Sequence, residues 1–387
     1  MTAIAMTPYE PQPLPLEDLD YKALIALVGE ANAALARYSG LLQAMVNPAV
    51  LLSPITDQEA VLSSKIEGTQ ATLEEVLEHE AGQTYDENKT QDIREVLNYR
   101  RALVLAREQL QDRPLRLSLL LHLHRILMDS VRGQNKTPGE FRKEQNWIGR
   151  TGCKIDEATF VPPSPLRLQD HLQAWEAYLA GPDFDVLAQT AIAHAQFELI
   201  HPFKDGNGRI GRLLIPLLLF AKGRLSSPMF YLSQYLESHR DEYYARLQAI
   251  SKHGDWTGWI AFFLQAIIEQ ATDNTARVQD IMSLYSTMKD RVRTVTRSQH
   301  TAQLVDSLFA KPIFRPSDIS ERTEIPKPTT HILIRQLLED NIIQVMREAS
   351  GRRPAIYVFP RLLDIAEGRR PASQAGTPQP KQESLPL

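Results

Sequence analysis

Cysteine is almost absent: Cys153 stands alone in 387 residues, which excludes an intramolecular disulfide and any cysteine-rich zinc site and points to a reducing compartment. An excess of charge of one sign is missing too. Lys and Arg number 43 against 47 Asp and Glu, a net of −4, so nothing draws the whole surface to polyanions. Long hydrophobic runs are also lacking. The longest in the middle of the chain, Leu213–Ala221, falls far short of the roughly 20 residues that a membrane-spanning helix needs. The first residues carry Glu10, Glu17 and Asp18 among prolines, without the basic and apolar stretches of a secretory signal. The expectation is therefore a cytoplasmic protein with no membrane partner. What remains, 43% hydrophobic and 23% charged residues, is the composition of an ordinary globular chain long enough for two or three domains.

Pro8, Pro11, Pro13 and Pro15 make residues 1–20 an extended arm that wraps or dangles. From Tyr21 to about Gln111 apolar residues recur at helical spacing, as in Leu24, Leu27, Val28, Ala31 and Leu35, which gives an N-terminal helical region over 21–112. A second helical block runs from Pro114 to Ser130. The stretch Trp147–Val161 breaks the pattern with Gly149 and Gly152 and ends at Pro162-Pro163, as a short hairpin or flap does. Helices resume from Leu168, so 113–254 reads as one core and 255–297 as a helical connector. Within 298–365 the expected order is a helix over Thr301–Ala310, a second over Ser317–Thr323 capped by Ser317, a third over Lys327–Asp340, and a hairpin of Ile342–Arg347 with Ala355–Phe359 around Ser350-Gly351. That order is the winged-helix pattern. Residues 366–387, rich in Pro, Ser, Gln and Gly, read as a disordered tail.

The sharpest segment is Ile200-His201-Pro202-Phe203-Lys204-Asp205-Gly206-Asn207-Gly208-Arg209-Ile210-Gly211-Arg212. Pro202 ends one apolar helix and Leu213–Phe220 continues another, so the segment is a glycine-rich loop between two buried helices. Gly206 and Gly208 let backbone N–H groups approach a phosphate, and the positive end of the following helix faces it. Arg209 and Arg212 add forked donors, Asp205 offers a hard carboxylate to Mg²⁺, and His201 is placed as a general base. Base, metal ligand and phosphate cradle within twelve residues point to nucleotidyl transfer. His194-x3-Glu198-x2-His201 also has metal-ligand residue types, without a further ligand nearby.

His201–Arg212 resembles the Fic (Fic/Doc, Fido-fold) motif HPFx[DE]GNGRxxR at every defined position. His194-Ala195-x-Phe197-Glu198, Pro138-Gly139-x-Phe141-Arg142, Trp147-Ile148-Gly149 and Tyr231-Leu232-Ser233 extend the resemblance over roughly 115–250. The resemblance implies a mainly α fold with a short flap and the transfer of AMP from ATP to a Ser, Thr or Tyr hydroxyl of a protein, the chain itself included, with release of pyrophosphate. By position, His201 is then the catalytic base and Asp205 holds Mg²⁺ or Mn²⁺. Gly206, Asn207, Gly208, Ile210 and Gly211 contact the nucleotide, Arg209 and Arg212 its β/γ end, and Gln248 the adenine. The flap residues Ile155, Phe160 and Val161 dock the target by strand addition. A homodimer is also implied.

Upstream, Ser63-Ser64-Lys65-Ile66-Glu67-Gly68 follows a capping box of Thr56 with Glu59 and ends on a C′ glycine, which puts Ser63 and Glu67 on one helix face. A carboxylate in the last turn meets the negative end of the helix dipole and invites a cationic partner. The segment is similar to the Fic inhibitory motif (S/T)xxxE(G/N). In that resemblance Glu67 reaches into the ATP site, pairs with Arg212 and blocks the γ-phosphate. The same glutamate opens an alternative, removal of AMP from a modified protein. A further alternative is a nucleotide-sensing winged-helix regulator of transcription. Eight basic side chains against seven acidic ones over Thr301–Pro360 are few for a DNA reader, however, so protein docking is preferred for that module.

Overall fold

A computed structural model of the chain describes residues 7–129, 136–150, 152–351 and 353–369. The chain divides into two compact units, residues 1–49 with 56–278 and residues 50–55 with 279–387. Ser130, Arg352 and the tail from 370 onward lie outside the described residues.

The first twelve helices are α1 (Tyr21–Ala44), α2 (Pro48–Leu51), α3 (Ser53–Ile66), α4 (Leu73–Glu80), α5 (Glu87–Gln109), α6 (Leu117–Leu127), α7 (Leu168–Ala180), α8 (Val186–Ile200), α9 (Asn207–Ala221), α10 (Ser233–Ser238), α11 (Arg240–His253) and α12 (Trp256–Thr296). The first unit is built around α8, which packs along α7 and α9. From Leu187 to Ile200 every residue of α8 except Glu198 is buried. A helix apolar on all sides belongs at the centre of a bundle. Its N-terminus is capped by the Asp185 carboxylate, which accepts from the N–H groups of Leu187 and Ala188. Two indoles grip its backbone: Trp175 Nε1 donates to the Ala193 carbonyl (2.9 Å) and Trp259 Nε1 to that of Ala191 (2.8 Å). α3 is fastened from the other side, where Arg100 of α5 pairs with Asp57 at 2.8 Å and with Glu80 of α4.

The proline arm wraps. Tyr9 N–H donates to the Val161 carbonyl (2.8 Å), Gln196 Nε2 to the Gln12 carbonyl (3.0 Å), and Trp256 Nε1 to the Gln12 side chain. The flap is slighter than a full hairpin. Ile148 and Phe160 form one antiparallel bridge, and Ile155–Glu157 is a single 3₁₀ turn.

In the second unit, α13 (Thr301–Ala310) leads to β1 (Ile313–Phe314), α14 (Pro316–Thr323), α15 (Lys327–Glu339), β2 (Gln344–Arg347), β3 (Ile356–Val358) and α16 (Pro360–Glu367). The strands form an antiparallel sheet in the order β1-β3-β2, with Ile313 opposite Val358 and Val345 opposite Tyr357. Three sequence expectations are corrected. Ser317 does not cap α14: the cap is Arg315, whose N–H is taken by the Asp318 carboxylate at 2.9 Å, with Pro316 as the first helical residue. β1 was not foreseen, because two residues carry too little periodicity. Residues 366–367 end a helix rather than begin a tail, and Gly368, at φ 74°, terminates it.

Candidate active site

Pro202 stops α8 at Ile200, and His201 turns the chain in the left-handed region, φ 48° and ψ 61°. The loop closes on itself through Asn207. Its Oδ1 accepts from Phe203 N–H (2.8 Å) and its Nδ2 donates to the Phe203 carbonyl (2.9 Å), so the side chain predicted to touch nucleotide is spent on the loop. Gly206 takes φ 77°, a conformation that suits glycine, and the first helical bond of α9 runs from Ile210 N–H to its carbonyl. The amides of 207–209 are therefore the unpaired N–H groups of a helix N-terminus. His124 of α6 stacks on Phe203, ring centroids 3.8 Å apart. Its Nδ1 accepts from Gly139 N–H (2.8 Å), so Nε2 carries the proton and donates to the Asp205 carbonyl (3.0 Å). Burial pushes His124 down to about 4.

The His201 ring is oriented by a contact that fixes its tautomer. Nδ1 lies 3.3 Å from the Glu198 carbonyl, which only accepts, so Nδ1 carries the proton and Nε2 keeps its lone pair. Burial, against the Glu198 carbonyl and with the help of Arg142, pushes the imidazole down to about 4; Glu67 and Asp205 oppose the shift. The ring is neutral at physiological pH.

Arg212 is 2% exposed and makes three bonds to one short segment: Nε to Ser63 Oγ (2.9 Å), and Nη2 to the Ser63 carbonyl (2.8 Å) and to Glu67 Oε1 (2.7 Å). Burial raises the Glu67 carboxyl, but Arg212, with Arg209 and His201, outweighs it and holds the group below the ordinary carboxylate value. Gly68, at φ 102°, ends the turn after α3, so Ser63 and Glu67 share a face as their spacing predicts. The predicted capping box is not formed. α3 begins three residues earlier, at Ser53; the Thr56 hydroxyl meets that of Tyr231 (3.0 Å), while buried Glu59 accepts from the hydroxyls of Tyr99 (3.0 Å) and Ser233 (2.6 Å).

Arg209 goes elsewhere. It pairs with Glu95 of α5 at 3.2 Å, and both side chains are buried. Glu95 Oε2 also accepts from the Thr69 hydroxyl at 3.1 Å, two residues past Glu67. Sequence reading missed Glu95; its signal was an acid on the apolar face of α5, between Ile93, Val96 and Tyr99.

His201, Arg212, Glu67 and Gly208 open onto one cavity of about 870 Å³, bounded by Trp147–Arg150, Thr159 and Phe160 of the flap and by Tyr244 and Gln248 of α11. A Cβ on Gly208 would lie 2.2 Å from Glu67 Oε1 and 2.9 Å from Arg212 Nη1. Ile210 is fully buried. Gly211 gives its carbonyl to His194 Nδ1–H (2.9 Å) and lies so close to Glu198 that a Cβ would meet its carboxyl oxygen at 2.0 Å. Burial pushes the Glu198 carboxyl up to about 8, with Arg212 lowering it and Glu67 raising it. His194 Nε2 accepts from the Tyr243 hydroxyl (3.0 Å), so both its nitrogens are engaged and the metal reading of His194, Glu198 and His201 is set aside. Of the flap residues, Phe160 borders the cavity, Ile155 is exposed on the 3₁₀ turn, and Val161 is buried with its carbonyl already taken by Tyr9. Asp205 is 44% exposed, and its Oδ1 accepts from Gly206 N–H (2.6 Å). Among the described residues no three His, Cys, Asp or Glu side chains gather as a metal site.

The Fic/DOC family N-terminal domain matches residues 25–108, and the Fic/DOC family domain matches residues 114–219. A protein adenylyltransferase Fic of Aedes aegypti is 33% identical over 153 residues, 37% of this chain and 26% of that protein. A probable protein adenylyltransferase of Aquifex aeolicus is 34% identical over 85 residues, 22% of this chain and 27% of that one. The chain thus spans about a quarter of the length of these curated relatives. The crystal structure of a Fic family protein from Desulfovibrio desulfuricans G20 superposes with a TM-score of 0.56 over 90% of this chain and 98% of the other; at 23% identity this speaks for the fold. The segment that ends in Glu67 and the whole loop from His201 to Arg212 fall inside the matched residues, and with them the chain belongs to the Fic/DOC family.

Proposed function

We propose that the protein is an adenylyltransferase that moves AMP from ATP to a hydroxyl side chain of a protein and is held in check by its own Glu67. The observation that carries this reading is a neutral His201 with a free Nε2 on the same cavity as Arg212 and the N-terminus of α9. The curated relatives named as protein adenylyltransferases support it. In the reaction His201 Nε2 takes the proton of a target Ser, Thr or Tyr, whose oxygen bonds to the α-phosphorus as the bond to the β-phosphate oxygen breaks and pyrophosphate leaves. The amides at the start of α9 stabilise the charge on the α-phosphate. Arg212 receives the terminal phosphates once Glu67 withdraws.

The exposed Asp205 carboxylate suits Mg²⁺ or Mn²⁺, since Mg²⁺ is commonly held by one or two carboxylates together with substrate phosphates and water. Bound there, the ion supplies charge neutralisation on the phosphates. Phe160 and the open flank of the flap take the target segment, and a segment of this chain is an eligible target. The neutralised bases of the second unit favour protein docking over DNA: Lys311 and Arg315 both pair with Asp318, at 3.1 and 2.8 Å. We read residues 298–365 as a winged helix in that role, and the assembly as a homodimer. The ionised Glu67 carboxylate on the cavity wall also suits activation of a water, which favours AMP removal as the second reading. Transfer of label from α-labelled ATP to protein is the test. His201→Ala should abolish it, with a loss of about 10²–10⁴-fold, and undiminished label would reject His201 as the base.

A further inference from the structure

Arg142 is a buried cation without a carboxylate. It is 2% exposed, and among the described residues its guanidinium meets only backbone carbonyls. Nε donates to His201 O (2.9 Å), Nη2 to Pro163 O (2.6 Å) and Ile200 O (3.4 Å), and Nη1 to Glu144 O (3.4 Å). Its own N–H donates to Pro202 O at 2.9 Å. Two of the guanidinium's acceptors, at 200 and 201, are the orphan carbonyls where α8 ends, with the Pro202 carbonyl just beyond held by the Arg142 backbone, and a cation there also meets the negative end of the helix dipole. The remaining two, Glu144 and Pro163, flank the flap on either side. A neutral side chain cannot span these acceptors, and lysine lacks the flat fork.

The arrangement solves two problems at once. A non-glycine residue in the left-handed region is strained and persists only when its surroundings over-determine it. Arg142 supplies that constraint at His201. Leaving the guanidinium unpaired keeps its charge uncompensated beside the imidazole. The acidic groups around the ring, Glu67 after α3, Glu198 on α8 and Asp205 in the loop, are themselves occupied or distant. Glu67 is bound to Arg212, Glu198 is held in its neutral form by burial, and Asp205 accepts from Gly206 N–H and lies 4.0 Å from Arg209 Nη2.

We propose that Arg142 is the positioning residue of this site: it fixes the left-handed turn at His201 and sets an uncompensated positive charge beside the imidazole. The inference rests on His201 as the base of the proposed reaction, but it is testable without that reaction. Imidazole titration by carbon-detected NMR, with His201 assigned from His201→Gln, should place wild-type His201 well below the ordinary histidine range, in line with a value of about 4. An ordinary midpoint overturns the proposal. In Arg142→Gln the midpoint should rise toward the ordinary value; a native melting curve with an unmoved midpoint also overturns it. Arg142→Lys keeps the charge and loses the fork. In it the midpoint should stay low while kcat for transfer, in a Glu67→Gly background, falls about 10²-fold with KM for ATP little changed. Full kcat in that variant removes the positioning role, and it decides the case if Arg142→Gln does not fold. If no variant transfers label at all, the proposed reaction fails, while the titrations still judge Arg142.

Discussion

Two arginines one turn apart on α9 each meet a glutamate from the N-terminal helices, and the two pairs are built differently. Arg209 and Glu95 are sealed, their side chains 5% and 8% exposed. Arg212 is sealed at 1%, but its partner Glu67 is 33% exposed and stands on the cavity wall. Glu95 is buried on the inner face of a long helix and braced by the Thr69 hydroxyl. Glu67 sits on a glycine-ended turn, and Arg212 keeps two bonds to Ser63 without it. The same chemical pair is thus sealed in one place and, in the function proposed above, a removable gate in the other. What separates them is the acid: Glu67 borders open space and leaves Arg212 two neutral acceptors on Ser63, whereas Glu95 is enclosed.

That contrast can be broken by experiment. The largest effect should come from Glu95→Ala, which leaves the buried Arg209 guanidinium only the Asp205 carboxylate, 4.0 Å away. Unfolding by urea should show a loss of about 3–5 kcal/mol, and a loss below about 1 kcal/mol would make this pair a second gate. Next comes Glu67→Gly. A charged hydrogen bond of about 1.5–3 kcal/mol is removed from the blocked state, so label transfer should rise about 10–100-fold. Stability should fall by no more than that bond, about 1.5–3 kcal/mol, and by less than in Glu95→Ala. Unchanged transfer would refute the gate. Ser63→Ala deletes one of the two bonds that survive and should raise transfer a few-fold, about 1 kcal/mol in free energy.

Acidification should do least. The Glu67 carboxyl is held below its ordinary value, so the pair is present above the ordinary carboxylate pKa and lost only as pH falls through the lowered one. His201, pushed down to about 4, takes up its proton in the same acid range and ceases to be a base. Wild-type transfer should therefore not increase between pH 7.5 and 5.5, and an acid-activated optimum in that interval would break the comparison.

The pairing of Glu67 with Arg212 was legible in the sequence and that of Glu95 with Arg209 was not. Ser63 with Glu67, and His201 through Arg212, are contiguous patterns whose spacing alone puts them on one face or in one loop. Glu95 and Arg142 act through partners 114 and 59 positions away, and nothing in their own neighbourhoods names those partners. The same holds for errors of detail. Thr56 and Glu59 have the spacing of a capping box, but Tyr231, Tyr99 and Ser233 claim their side chains first. Val161 looked free to dock a target until the arm supplied Tyr9. Helix limits such as Thr301–Ala310 and the stop at Pro202 were readable because local backbone chemistry decides them.

Gly208 has a consequence beyond its loop. Its missing methyl leaves the space that the Glu67 carboxylate fills, and the same bare backbone is what a phosphate would approach. In the proposed function, repressor and substrate therefore depend on one absent atom group. A genetic selection for runaway variants should return changes at 63 and 67 but never at 208, because any side chain that evicts the glutamate also bars the nucleotide.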